Sequence, residues 1–151
     1  MLGTPLVAVH QTTGQSGVVS ATDTIVTWDT VDTDPFGLKS GNTFVLPAGR
    51  YQAELQCAMP YAAGGLLRAA YLVDYTSGSL ASIGGKVITG DAKPQYGGAV
   101  GAGHVLNFSR TFTLTAASTP VVMTCYQDSG SNMTLSAGNF GGVALAINRL
   151  P

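Results

Sequence analysis

Alternation of apolar and polar residues is the clearest pattern in the chain, and it is longest in the stretch FVLPAGRYQAELQCAM at residues 44–59. After the break at residues 47–49, apolar side chains occupy every second position: Tyr51, Ala53, Leu55, Cys57 and Met59. A period of two is typical of a strand with one face in a core, and Pro and Gly interrupt a strand at a turn. The pattern predicts a short strand, a turn, and then a long strand near the centre of a sheet.

Further alternating or β-branched segments follow one another along the chain, separated by turns rich in Gly, Pro, Asp and Ser. They lie at residues 5–13, 25–31, 66–75, 104–115, 121–127, 133–136 and 143–149. Eight to ten short strands without a secure helix predict one all-β domain over residues 1–151. Its expected architecture is an antiparallel two-sheet sandwich of the jelly-roll type.

Three segments need separate interpretation. Residues 66–75 could form a helix, but we interpret them as a strand with Arg68 and Asp74 on the face opposite Leu67 and Tyr71. Residues 76–102 are rich in Gly and are expected to be mostly loop, with a short strand near 86–89. Arg110 falls in the apolar row of its segment, which predicts a bulge or a position at the rim of the sheet.

Charge is scarce: 10% of the residues are charged, the net charge is −1, and Lys and Arg are scattered singly. This argues against binding to nucleic acid through a basic surface. A surface of small and uncharged residues suits contacts between proteins, where charge is costly to desolvate, although an ordinary neutral surface is an equal alternative. No apolar run reaches the ~18 residues of a membrane span. The first residues lack the pattern of a signal peptide, so we expect synthesis and folding inside a cell.

Residues that could carry chemistry do not form a recognisable set. His10 and His104 are isolated in the sequence, and Asp29, Asp32 and Asp34 lack the Gly and closing Glu of a calcium loop. The segment IGGK lacks the first Gly and the Ser or Thr of a phosphate-binding loop, and no Gly-x-Ser-x-Gly segment is present. We therefore expect no catalytic residues, no metal and no cofactor.

The two cysteines, Cys57 and Cys125, each lie in an apolar strand pattern. A chain of this length does not need a disulfide framework to be stable, and free cysteines are among the most buried residues. Two buried free thiols are expected rather than a bridge.

The order of these landmarks resembles that of the tumour-necrosis-factor-like superfamily, which includes the globular heads of complement-type collagens. The opening segment LVAVHQ, the aromatic-bearing IVTWDTV and the final FGGVAL follow in the order of that family. Its Phe, Pro, Gly and Tyr positions are matched by Phe44, Pro47, Gly49 and Tyr51. The segment FVLPAGRYQAE also resembles segments of jelly-roll modules in tailed-bacteriophage virion proteins.

The resemblance implies a homotrimer about a threefold axis. One sheet, formed by the first, the central, the penultimate long and the last strand, would face the partner copies. Combined with the alternation, it indicates a trimer interface of nine outward residues, although an ordinary solvated face is the alternative. They are Gln52, Glu54, Gln56, Val122, Thr124, Tyr126, Ala144, Ala146 and Asn148. On this interpretation, Tyr126→Asp should produce monomers.

Three functions fit this description. We expect a non-enzymatic capsid decoration or cement protein of a tailed bacteriophage, made in the host cytoplasm and bound through the major capsid protein to the virion surface. Strand-like sequence from residue 6 to residue 149 leaves little for attachment to a fibre. The receptor- or glycan-binding tip of a tail fibre is therefore the second choice. A secreted cytokine-like ligand is third, because no signal or anchor is recognised.

Overall fold

The computed structural model describes residues 5–60, 67–81, 86–94, 104–136 and 142–151. Within these ranges the chain is all-β, with eleven strands and no helix, hence no helical segment able to cross a membrane. The strands are β1 (Val7–His10), β2 (Thr24–Ile25), β3 (Thr30–Thr33), β4 (Lys39–Ser40), β5 (Thr43–Leu46), β6 (Gly49–Met59), β7 (Leu67–Asp74), β8 (Val87–Pro94), β9 (His104–Leu114), β10 (Thr119–Gln127) and β11 (Val143–Leu150). Outside the described residues lie most of the turn expected between the segments that end at residue 59 and begin at residue 66, residues 95–102 of the predicted loop, most of IGGK and the start of FGGVAL.

The strands form two antiparallel sheets. Sheet I has the order β3-β1-β11-β6-β9, and sheet II has the order β4-β5-β10-β7-β8, with β2 paired to β10 beside β5. The apolar rows of both sheets face each other and form the core. The two-sheet sandwich predicted from the alternation is therefore confirmed.

The stretch at residues 43–59 joins the two sheets. β5 belongs to sheet II and β6 to sheet I, and the chain changes sheet at Pro47 and Ala48. All five apolar residues predicted to share a face of β6 are buried. β6 lies second from one edge of sheet I, while β11 occupies the middle position. The predicted face is thus confirmed, and so is the predicted position near the centre of a sheet, since β6 is an interior strand next to the middle one.

Both thiols are free and fully buried, Cys57 in β6 and Cys125 in β10. Burial raises the pKa of the Cys125 thiol to about 12. The pKa of Cys57 is also well above its ordinary value, mainly because of burial and secondarily because of the nearby Cys125. The prediction of buried free cysteines is confirmed.

Two segments differ from their predicted lengths. The strand expected at residues 25–31 is divided into β2 and β3, because Val26 and Trp28 turn into the core between them. β8 is longer than predicted, with eight residues. Its sequence looked like loop because Gly90 lies against β7, where a Cβ atom would come within 2.5 Å of the Ala70 carbonyl oxygen.

Arg68 and Arg110 occupy unexpected positions for charged residues. Arg68 shares the inward face of β7 with Ala70 and Leu72 and is fully buried, so its assignment to a polar face is wrong. Arg110 is paired with Ala53 in an uninterrupted register, so no bulge is present there. It lies on β9, the edge strand of sheet I, and is exposed, which confirms the predicted rim position.

Candidate functional site

The nine residues of the predicted interface are divided between the two sheets. Those on β6 and β11 lie on the outer face of sheet I, whereas Val122, Thr124 and Tyr126 lie on β10, in sheet II. The prediction that one sheet carries all nine is wrong. β10 pairs with β5, β7 and β2, and such pairings join residues far apart in sequence that alternation within one strand cannot identify.

The outer face of sheet I consists of registered rows of mostly small and uncharged side chains. One row runs across the sheet through Ala8, Ala146, Glu54 and Ser109. The next row runs through His10, Ala144, Gln56 and Asn107. A third row contains Asn148, Gln52 and Thr111.

Residues of the first two rows line a groove of about 580 Å³, which we call the sheet I groove. It is lined by Ala8, Val9, Asp32, Glu54, Leu55, Gln56, Asn107, Phe108, Ser109, Ala144, Leu145 and Ala146. Alanines of β1 and β11 form its floor, and polar side chains of β6 and β9 form one wall. The lining therefore contains two acidic side chains and no basic one.

Hydrogen bonds fix several polar groups around the groove. His10 Nδ1 lies 2.8 Å from Asp32 Oδ2 at the rim. Beyond the groove, Gln52 Nε2 donates to Ser109 Oγ at 2.6 Å. Asn148 is 5% exposed, and its Oδ1 atom has no hydrogen-bond partner among the described residues. A buried amide oxygen without a partner is costly unless a donor reaches it.

The two outer faces of the sandwich differ in exposure. On sheet I, Glu54, Asn107 and Ser109 are exposed, and the floor alanines are only half-buried. On the outward row of sheet II, Val122 and Thr124 are fully buried. Among the described residues, the face of sheet I is the one that is open to a large partner over several strands.

The resemblance placed the first strand in the sheet that carries this face, but no residue of β1, β3 or β9 was predicted to belong to the interface. Asn107 and Ser109 were visible as the polar row of a strand, and Ala8 and His10 alternate with buried residues. What was lacking was the strand order, since only the pairing of β9 with β6 and of β1 with β11 places these residues beside the predicted ones.

The three aspartates considered for calcium have separate structural roles. Asp29 accepts hydrogen bonds from the Thr13 hydroxyl and from the backbone of Thr12 and Thr13, which hold the pKa of its carboxyl well below the ordinary range. Asp34 accepts from two backbone N–H groups in the following turn, and Asp32 contacts His10. Within the described ranges, no three His, Cys, Asp or Glu side chains converge as metal ligands.

Comparison with known proteins gives a fold but no relative in sequence. No protein-family model matches the chain, and no curated protein matches it. Murine APRIL, in its crystal structure at pH 5.0, superposes with a TM-score of 0.65 and 14% identity, covering 95% of this chain and 97% of that chain. Eiger TNF from S. frugiperda superposes with a TM-score of 0.59 and 14% identity, covering 98% of this chain and 94% of that chain. The fold is a TNF-like jelly roll.

The TNF-like jelly roll confirms the architectural half of the sequence resemblance. At 14% identity the likeness concerns the fold alone, so it assigns neither an assembly state nor a binding partner. It carries no support for the resemblance to bacteriophage virion modules, which stays a prediction.

Proposed function

We propose that the chain is a non-catalytic structural protein that forms homotrimers through the outer face of sheet I. The observation that carries this proposal is the contrast between the two outer faces. The sheet I groove is open and weakly charged, while the outward row of sheet II is largely buried. In the part of the chain that the structure describes, a partner of comparable size therefore has one open multi-strand surface on which to pack.

The chemistry of the groove suits another copy of the chain. Ala8, Ala144 and Ala146 allow close approach of a neighbouring backbone, and the surrounding amides and hydroxyls can exchange hydrogen bonds with it. Only two of the lining side chains are acidic, so little charge has to be desolvated.

We further propose that the trimer decorates a virion capsid. Two buried cysteines that remain unlinked fit a protein that folds in a reducing cytoplasm, where phage particles assemble. The low content of charged residues fits a protein with extensive protein contacts. A trimer that binds assembled shell but not dispersed subunits would stabilise the shell by about 2.7 kcal/mol per site at 100 times Kd. Simultaneous engagement of three subunits would add avidity.

Light scattering after size-exclusion chromatography tests the trimer. The expected mass is three times the 15.4 kDa of one chain. Ala146→Arg should yield monomers, because it places a long charged side chain on the floor of the groove. Ala117→Arg, at an exposed turn position, is the matched control and should remain trimeric. A wild-type monomer at all concentrations would refute the proposal.

Purified virions test the decoration role. Quantitative mass spectrometry should find many copies per particle, and electron micrographs of particles lacking the protein should show missing density across the shell. A few copies confined to the tail would instead support the receptor- or glycan-binding fibre tip. In that case antibodies against the protein should block adsorption to the host.

A further inference from the structure

The trimer proposed above requires two different surfaces on each copy. A closed ring of three identical subunits is built from head-to-tail contacts, in which one patch meets a different patch on the next copy. The sheet I groove supplies one patch. A residue of the second patch can be identified from the charged side chains, and its assignment rests on the proposed function.

Glu54 is the available charge of the groove. It is exposed in the middle of a row between Ala146 and Ser109. Its carboxylate has no hydrogen bond or ion pair in the part of the chain that the structure describes, whereas the other groove carboxylate, Asp32, contacts His10. A carboxylate that becomes desolvated in an interface needs a cation or several donors.

Four of the seven basic side chains donate to groups in other segments of the chain, whereas Arg110, among the described residues, donates only to the carbonyl oxygen of its neighbour Ser109. The four are Arg68, Lys86, Lys93 and Arg149. Of the remaining three, Arg50 lies on the same face and the same strand as Glu54 and so belongs to the first patch. Lys39 is half-buried on β4, at the edge of sheet II. Arg110 is thus the candidate for the second patch.

Arg110 projects beyond the edge of sheet I. Its neighbours in the same row, Phe108 and Phe112, are buried at 7% and 8% exposure, but Arg110 itself is exposed. In the described residues its guanidinium donates only to the carbonyl oxygen of Ser109, at 3.3 Å. The planar guanidinium can offer two parallel N–H groups to a carboxylate.

We propose that Arg110 of one copy pairs with Glu54 in the sheet I groove of the next copy, and that this pair sets the register of the ring. Because the two residues lie on different patches, each copy would give one Arg110 and receive another. Three equivalent pairs would close the trimer.

A charge exchange tests the pairing. Glu54→Arg and Arg110→Glu should each weaken trimer formation by about tenfold or more in sedimentation equilibrium, since each places like charges opposite one another. The double variant restores the pair with reversed polarity and keeps the net charge at −1. It should return the dissociation constant to within a few-fold of the wild-type value. Circular dichroism of each variant verifies that the fold is intact.

A second double variant, Glu54→Arg with Arg50→Glu, has the same net charge but exchanges an arginine outside the proposed pair. Its trimer dissociation constant should not return to the wild-type value. If the two exchange variants fail to compensate while the wild type is trimeric, the pairing is wrong and the proposed function stands. A monomeric wild type would overturn both. If Arg110 only protects the edge strand from pairing with other sheets, Arg110→Glu should leave the trimer unchanged, because either charge protects an edge.

Discussion

At the scale of single residues, Arg68 shows how the sandwich accommodates a fully buried charge. Its Nη1 atom lies 3.3 Å from Asp128 Oδ1 and donates to the Leu67 carbonyl oxygen at 2.8 Å. Asp128 also accepts from the Leu67 N–H group at 2.9 Å. Burial lowers the pKa of Arg68, and the charge of Asp128 opposes that change. The pair thereby connects the start of β7 with the end of β10.

Replacing Arg68 should be costly. Arg68→Met should lower the free energy of unfolding by about 3 kcal/mol, because it leaves Asp128 partly buried without its guanidinium partner. Urea denaturation followed by the fluorescence of Trp28 measures the loss. Adding Asp128→Asn should recover part of it, and Arg50→Met is the control, because Arg50 is exposed and its guanidinium makes no hydrogen bond among the described residues. A loss below about 1 kcal/mol would show that the pair is not needed for stability.

The two thiols give a prediction about reactivity and pH. Burial raises the pKa of Cys125 to about 12 and that of Cys57 well above its ordinary value of 9.0, so both should resist thiol reagents in the folded protein and react in urea. Above pH 9 the unfolded thiols lose their protons while the folded ones keep them. The free energy of unfolding should therefore fall between pH 9 and about 12. Cys57→Ala with Cys125→Ala should flatten this fall, and an unchanged slope would contradict the assignment.

The sequence was informative about single residues wherever one face of a strand is polar. The alternation identified the buried row of β6 because Gln52 and Glu54 mark the opposite face. It failed for Arg68 because β7 is buried on both faces, with Ala69 and Ala70 alike at 0% exposure. Without a polar face there is no pattern from which to tell inside from outside.

At the scale of elements, the corner between β5 and β6 connects the two sheets. The Tyr51 hydroxyl donates to the Pro47 carbonyl oxygen at 2.6 Å, across the point where the chain changes sheet. The Tyr51 ring is stacked on Phe112, with centroids 5.4 Å apart. Burial raises the pKa of Tyr51, which keeps the hydroxyl protonated and able to donate. One side chain thus ties the turn to sheet I.

Removing that hydroxyl should weaken the corner without disturbing the core. Tyr51→Phe keeps the stacked ring and loses one hydrogen bond, so the free energy of unfolding should fall by about 1 kcal/mol. Tyr75→Phe is the control, because the Tyr75 hydroxyl makes no hydrogen bond among the described residues. Chemical denaturation of both variants measures the difference. Equal stabilities would mean that the bond to Pro47 contributes nothing.

Elements were predicted better than their arrangement. Most long strands were recognised because alternation is a local property of the sequence, as in β9 and β11. β8 was underestimated because Gly90 supplies close approach to β7 instead of an apolar side chain. The placement of β10 in sheet II depends on partners up to about a hundred residues away, such as β2. No pattern within one strand contains that information.

At the scale of the whole molecule, the two outer faces determine where a partner can bind. The resemblance to the TNF-like superfamily implied both the sandwich and an interface on one sheet, and the structure confirms the sandwich. The candidate interface then changes in composition. It loses the three residues of β10 and gains the polar row of β9 and the floor residue Ala8.

The difference between the two outer faces predicts how thermal stability should depend on protein concentration. If folding is coupled to trimer formation, the melting temperature of the wild type rises with concentration. Ala146→Arg, in the sheet I groove, should abolish that dependence. Tyr126→Asp should lower the melting temperature, because it places a half-buried carboxylate beside Tyr71 and near the acidic Asp23 and Asp91, but it should retain the dependence. Differential scanning calorimetry over a wide concentration range distinguishes the two faces. The reverse result, with Tyr126→Asp losing the dependence and Ala146→Arg keeping it, would place the interface on sheet II.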